Sequence, residues 1–247
     1  MSLGRTILRR TICLTDILPA VVLLAVCSTR AAAQARPRVV DDLHDLPLIE
    51  VPSQATGHTL AVFLSGDGGW ADIDQQVSAA LAAKGIAVVG LNTRSYLHSK
   101  RTPDEAARDV SRVMTHYMTA WNRDRVAIIG YSRGADIAPF VASRLPAELH
   151  ARLSLVVMLG LAPFAGFQFH WGDMIHTVRR PGDPLTLPEL ERLRGVPMLC
   201  VYGLEEKESG CRDAPDSLVK RYARGGAHHF DGDYGALADI IIAALKP

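Results

Sequence analysis

A serine at position 132 stands between two glycines in Gly130-Tyr131-Ser132-Arg133-Gly134. Ahead of it, Val126-Ala127-Ile128-Ile129 is a short apolar run rich in β-branched residues, which reads as a buried strand. Behind it, Ala135 to Leu145 reads as a helix. Strand, G-x-S-x-G and helix in that order predict a nucleophile elbow, a turn too sharp for side chains at Gly130 or Gly134, with the serine hydroxyl raised at its apex. The helix that begins there aims free N–H groups and the positive end of its dipole at the same point. A serine hydroxyl attacks an acyl carbon once a base removes its proton, and histidine has the pKa for that task. A carboxylate must then fix the imidazole tautomer and stabilise the imidazolium.

In a serine hydrolase of this strand-elbow-helix type the partners follow in the chain order serine, acid, histidine. The acid is expected after the strand Pro197–Tyr202, in Gly203-Leu204-Glu205-Glu206-Lys207-Glu208. Glu206, three residues past the strand-ending glycine, is the first candidate, with Glu205 and Glu208 behind it. The histidine is expected near the end of the chain, in Gly225-Gly226-Ala227-His228-His229-Phe230. Two adjacent histidines cannot both face the serine, so His228 and His229 compete. His44, His58, His98, His116, His150, His170 and His176 fall on loops or within a helix and read as solvated or structural. An oxyanion needs two N–H donors. One is the backbone of Arg133; the other is expected at Asp67 or Gly68 in Ser65-Gly66-Asp67-Gly68-Gly69-Trp70, where the glycines let the backbone approach a substrate closely. No histidine or cysteine spacing suggests a metal, and this chemistry needs no cofactor.

The elements that must hold these residues are legible in the same way. Thr59–Leu64, Ile86–Leu91, Val126–Ile129, Leu153–Leu159 and Pro197–Tyr202 are apolar runs that read as buried strands, with Leu46–Val51 a candidate edge strand and Tyr222 a candidate for the last. Helices are expected from Asp72, read as an N-cap with Gln75 closing a capping box, to Lys84; from Pro103 to Trp121; over Leu187–Arg194; and from Tyr234 to Leu245. Strands that alternate with helices and lack a polar face predict an α/β fold, the α/β-hydrolase fold: a mostly parallel central sheet with helices on both faces. Ligands of such sheets bind outside the C-terminal strand ends, and every candidate segment lies just after a strand. Leu161–Pro184 is irregular and carries Phe164, Phe167, Phe169, His170 and Trp171.

The first 35 residues are of another kind. Arg5, Arg9 and Arg10 precede the apolar stretch Ile17–Val26, and Ala31-Ala32-Ala33-Gln34-Ala35 follows with small residues at the spacing a signal peptidase reads. Residues 1–35 are expected to be a secretory signal cut near Ala33 or Ala35, leaving one domain over 36–247 and a periplasmic location. Cys27 raises a lipoprotein site, but Val26 is bulky for the position before it. The leader takes four of the 27 basic residues and one of the 26 acidic ones, leaving 23 against 25, a net of −2. That balance excludes a nucleic-acid footprint and argues against simple electrostatic adsorption to anionic lipid. Cys200 and Cys211 are the pair that would remain in an oxidising compartment, and a disulfide between them would staple the loop that carries the candidate acid.

Leu64-Ser65-Gly66-Asp67-Gly68-Gly69-Trp70, Arg101-Thr102-Pro103, Gly130-Tyr131-Ser132-x-Gly134-Ala135-Asp136, Pro139-Phe140, Cys200-x-Tyr202-Gly203, Cys211 and His228-His229-Phe230-x-Gly232-Asp233-Tyr234 together resemble the VirJ/AcvB family of bacterial virulence-associated exported proteins. The likeness covers essentially the whole chain after the leader, and its length is similar to the single-domain form. Arg133 departs from it, standing where the family looks to carry an aromatic residue. The resemblance implies hydrolysis of the aminoacyl ester of aminoacylated phosphatidylglycerol, notably the lysyl form, by a serine–histidine–glutamate mechanism at the periplasmic face of the inner membrane. Loops of related hydrolases place the catalytic histidine directly before an aromatic, which favours His229, with Phe230 packed beneath it. The substrate's ammonium group would want a carboxylate, and Asp67 and Asp136 are the candidates by position. The implied partner is a membrane phospholipid, met by peripheral contact with the outer leaflet of the inner membrane, with Phe164, Phe167, Phe169 and Trp171 either lining a lipid-facing cap or packed inside. A generic carboxylesterase or lipase is the alternative enzyme, and a non-catalytic binding factor of a secretion or DNA-transfer system is the alternative outside enzymology.

Overall fold

A computed structural model describes residues 43–174 and 178–245. The expected leader and its expected cleavage site, and His176, lie outside these residues. The chain begins with β1 (Leu48–Val51) and β2 (Thr59–Leu64), followed by α1 (Asp72–Ala83), β3 (Ala87–Leu91), the one-turn α2 (Thr93–Tyr96) and the long α3 (Pro103–Ala120). Then come β4 (Arg125–Tyr131), α4 (Arg133–Ala142), the short α5 (Ala147–His150), β5 (Leu153–Leu159), α6 (Leu187–Arg192), β6 (Met198–Gly203), the short α7 (Gly210–Asp213), β7 (Lys220–Arg224) and α8 (Tyr234–Leu245). The seven strands form one sheet in the order β1-β3-β2-β4-β5-β6-β7. Only β1 runs antiparallel, against β3 at the edge; the other neighbours are parallel.

The apolar strands follow from burial on both faces. Along β2, Leu60, Val62 and Leu64 point to a core shared with Val110 and Met114 of α3 and Phe140 of α4. Ala61 and Phe63 point the other way, to a core shared with Val77 and Leu81 of α1 and Leu237 and Ile241 of α8. The α3 start is a full capping box: Thr102 Oγ1 accepts from Glu105 N at 3.2 Å, and Glu105 Oε2 accepts from Thr102 N at 2.8 Å. The start of α1 differs from its sequence reading. Asp72 is its first residue, Ala71 is the cap, and Asp74 closes the turn by accepting from Ala71 N at 2.8 Å. Gln75 instead donates to Trp70 O at 3.2 Å. Asp74 points inward and is fully buried, which raises its pKa to about 7. Asp72 is left facing solvent.

Cys200 at the centre of β6 and Cys211 in α7 are bonded, with Cα atoms 5.5 Å apart. Their link closes the segment that leaves the C-terminal end of β6. Closing a loop of this length stabilises a domain by about 3 kcal/mol, mainly by constraining the unfolded chain. The Cys200→Ala/Cys211→Ala double variant is therefore expected to lose about 2–3 kcal/mol in urea unfolding; unchanged stability would show that the link constrains nothing.

Candidate active site

Ser132 sits between β4 and α4 with φ 53° and ψ −121°, the left-handed side of the backbone map where a β-substituted residue is strained. Packing holds it there. A Cβ on Gly130 would lie 2.2 Å from the Gly134 carbonyl oxygen, and one on Gly134 would lie 1.9 Å from that of Leu64. The backbones of β2, β4 and α4 touch at these two glycines, so the chain between them can only arch outward. Ser132 N donates to Leu159 O at 2.9 Å, which ties the arch to β5.

The turn after β2 faces it. Gly69 N donates to Gly66 O at 3.0 Å, leaving Asp67 and Gly68 at the corners. Gly66 lies against the Ser132 side chain, where an added Cβ would be 3.2 Å from Ser132 Cβ. Arg133 is the first residue of α4, so its N–H has no carbonyl one turn back within the helix. Asp67, Gly68 and Arg133 thus surround Ser132 as the sequence leads one to expect, but the Asp67 side chain is occupied. Its carboxylate is gripped by the Arg133 guanidinium, with Nη2 to Oδ2 at 3.1 Å and Nε to both oxygens at 3.3 Å. Arg133 is buried and Asp67 nearly so. Expected to take a substrate's ammonium, the Asp67 carboxylate instead takes the protein's own cation.

Asp136 corrects a second expectation. It shares a helix face with Ser132 yet turns into the protein, where Oδ1 accepts from Ala162 N at 2.7 Å. Burial raises its pKa to about 7 against the opposing pull of the Arg133 charge. It does not line the cavity at Ser132. What it does is pin the chain just beyond β5, next to Gly160, whose missing side chain makes room for the His228 ring.

The two histidines are the central residues of a tight turn closed by Phe230 N donating to Ala227 O at 3.0 Å. They therefore point apart. His228 Nδ1 lies 2.6 Å from Glu206 Oε1. His229 Nδ1 lies 2.9 Å from the Tyr131 hydroxyl. The carboxylate partner expected for His229 belongs to His228, and Phe230, beside them in the chain, is buried in the core cluster that also holds Phe63, Leu159 and Leu237. Among the three candidate glutamates, Glu206 turns inward while Glu205 and Glu208 are exposed. The other oxygen of Glu206, Oε2, accepts from Gly203 N at 3.1 Å.

One residue that the sequence did not point to holds this acid loop. Arg212, beside Cys211, donates to the carbonyls of Glu206 at 2.6 Å, Leu204 at 2.7 Å and Gly203 at 3.2 Å. The acid loop is also laced to the histidine loop, by Leu204 N to Arg224 O at 2.8 Å and Glu205 N to Gly226 O at 3.0 Å.

Ser132, His228 and His229 open on one cavity of about 860 Å³. Trp70, Asp72, Tyr131 and Tyr234 complete much of its wall. Asp72 is a carboxylate on this wall that sequence reading assigned only to helix capping. With Glu206 accepting the Nδ1 proton, the free lone pair of His228 is on Nε2, and the arrangement can take a proton from a hydroxyl and return it to a leaving group.

The sequence model of the family described as "Bacterial virulence protein (VirJ)" matches residues 58–247. No curated protein sequence matches this chain. Among solved structures, the type II thioesterase BorB from the borrelidin biosynthetic cluster is similar with TM-score 0.53 at 19% identity, covering 83% of this chain and 98% of its own. Est1E from Butyrivibrio proteoclasticus with ferulic acid bound gives TM-score 0.57 at 12% identity, covering 81% and 94%. MenH from S. aureus gives 0.56 at 12% identity, covering 80% and 97%. At these identities the likeness shows the fold, which is that of the α/β-hydrolases.

Two outcomes follow from the geometry. His228→Ala is expected to slow labelling of Ser132 by a fluorophosphonate about a thousandfold or more, and His229→Ala by less than about tenfold; the reverse order would return the base to His229. Asp136 and Asp74 hold their protons more tightly in the fold than in the unfolded chain. Their contribution is present below the ordinary aspartate pKa of 3.8 and is lost as pH rises through about 7. Asp136→Asn should flatten the fall in urea midpoint between about pH 4 and 7, and an unaltered slope would mean that Asp136 does not titrate there.

Proposed function

This chain belongs to the VirJ family of bacterial virulence proteins, and from that footing and the site geometry we propose that it is a periplasmic serine hydrolase of carboxylic esters. The observation that carries the proposal is the 2.6 Å contact of His228 with Glu206 on the same cavity as a serine held in left-handed backbone geometry. Ser132 Oγ attacks the ester carbonyl carbon as His228 Nε2 takes its proton. The N–H groups of Arg133 and of the Asp67–Gly68 corner meet the oxygen as it becomes negative. The ester C–O bond then breaks, His228 gives its proton to the departing alkoxide, and the acyl group stays on Ser132. Water, deprotonated by His228, attacks the acyl-enzyme, releasing the acid and restoring the serine. The Glu206 carboxylate stabilises the imidazolium in both halves.

The substrate we propose is the aminoacyl ester of phosphatidylglycerol, with lysyl-phosphatidylglycerol first. The family resemblance supports this choice. The cavity is compatible with a cationic acyl group: Asp72 supplies a carboxylate on its wall. Asp67 contributes backbone and shape, its charge being met by Arg133.

The test is release of free lysine from lysyl-phosphatidylglycerol vesicles by the protein and by its Ser132→Ala variant. Release by the first alone, with loss of at least about a thousandfold in the variant, is expected. Fluorophosphonate labelling without lysine release would keep the serine hydrolase and discard the lipid. Neither labelling nor release would discard the hydrolase.

A further inference from the structure

The turn after β2 is tied down at both ends by backbone bonds, and its corner is held by a side chain. Ser65 N donates to Leu91 O at 3.2 Å and Ser65 Oγ accepts from Thr93 N at 2.9 Å, which fastens the start of the turn to the end of β3. Gly69 N closes the turn on Gly66 O. Between these points, among the described residues, neither Asp67 N nor Gly68 N donates to an acceptor within the protein. A Cβ added to Gly68 would meet nothing within 4 Å beyond its chain neighbours. Packing at Gly68 therefore does not fix the corner that has to aim an N–H at an oxyanion.

The Asp67 carboxylate supplies the missing fastening. The Arg133 guanidinium holds it through Nη2 and Nε, and both side chains are shielded, Arg133 at 2% exposure and Asp67 at 12%. Arg133 directly follows Ser132, so its own backbone N–H is the other expected oxyanion donor. One ion pair thus joins the first residue of α4 to the corner after β2. The irregular segment after β5 comes down on the guanidinium at Gly166, where an added Cβ would lie 2.6 Å from Arg133 Nη1. That segment is itself packed. Phe164, Phe167 and Phe169 are buried, the Phe167 ring meets Phe140 of α4 edge-on at 5.5 Å, and Arg101 N donates to Phe167 O at 2.9 Å. Charges kept from solvent in this way attract more strongly than an exposed pair and are less screened by salt.

We propose that the Asp67–Arg133 ion pair is a clasp that sets the spacing of the two oxyanion donors, so that both side chains are positioning residues for attack at Ser132. The assignment rests on the serine hydrolase reading. It gives the side chain after the nucleophile a task other than binding substrate, and it accounts for a carboxylate beside the serine being matched to the protein's own cation. Oxyanion stabilisation depends on donors aimed in advance, and deleting one costs about a hundred- to a thousandfold in rate. Loosening one costs less, about tenfold or more. Removing one partner alone would leave the other charge buried and unpaired, so the informative change removes both.

The experiment is the rate at which an alkyl fluorophosphonate labels Ser132, followed across about pH 5 to 9, in the native protein, in Asp67→Asn/Arg133→Gln and in Arg133→Lys. The phosphoryl oxygen of the probe takes the oxyanion's place. In the double variant the plateau rate is expected to fall at least about tenfold. The pH of half-maximal labelling, set by His228, should stay where it is, since the net charge beside the site is unaltered. A disturbance reaching the His228–Glu206 contact would move that pH instead. Arg133→Lys keeps the charge but not the fork of donors, and its rate is expected between those of the other two, about threefold below the native protein. Should the double variant not fold, Arg133→Lys is read by the same two criteria. Native rates in the variants, a loss that comes with a moved pH midpoint, or an Arg133→Lys rate no better than that of the double variant would overturn the clasp and leave the hydrolase reading intact. No labelling of the native protein would overturn the hydrolase reading, and the clasp with it.

Discussion

Three backbones meet at Gly130 and Gly134 with no space for a Cβ, and the site is built outward from that contact. Because β2, β4 and α4 touch there, Ser132 cannot relax into ordinary strand or helix geometry and is held at φ 53°. Such strain costs on the order of 1–3 kcal/mol and persists only where the surroundings over-determine it. Here they are the central strands of a sheet buried on both faces, with the two cores supplied by α3 and α4 on one side and α1 and α8 on the other. The same contact points the first turn of α4 at the serine, so the position of the nucleophile and the direction of the helix dipole have one steric origin.

The acid and the histidine are held by a different device. Their loops leave the ends of neighbouring strands near the edge of the sheet, where packing is thinner, and they are fastened by hydrogen bonds and a covalent link. The Cys200–Cys211 disulfide closes the acid loop, Arg212 gathers three of its carbonyls, and two backbone bonds join it to the histidine loop. Gly203 permits this approach, since a Cβ there would meet the Ala227 carbonyl at 2.2 Å. The result is a carboxylate–imidazole contact whose orientation is set by the backbone of both loops.

How much of this could be read in advance depended on the range of the cause. The elbow, the parallel sheet, the acid loop and the cysteine pair have local signatures: glycine spacing, β-branched runs, and residues placed just after a strand. The competition between His228 and His229 has no local signature, because it is decided by the turn that closes between Ala227 and Phe230 and by the contact with Glu206 across the fold. Asp67 and Asp136 were legible as acids near the serine, but not as partners of Arg133 and Ala162, which are contacts across the fold. The start of α1 was misplaced by one residue for a similar reason, with Ala71 in place of Asp72 as the cap and Asp74 in place of Gln75 closing the box. Asp74 closes the turn rather than Gln75 because it turns inward, and its burial depends on neighbours that helix periodicity alone does not reveal.

The account stands or falls on a covalent intermediate at Ser132 formed with His228 as base. The most direct measurement is intact-mass and peptide-mass analysis of protein quenched during turnover of lysyl-phosphatidylglycerol. The account predicts a mass gain of one lysyl group on the peptide containing Ser132, present in the native protein and lost in His228→Ala. Lysine release with no adduct, or an adduct on another peptide, would contradict it.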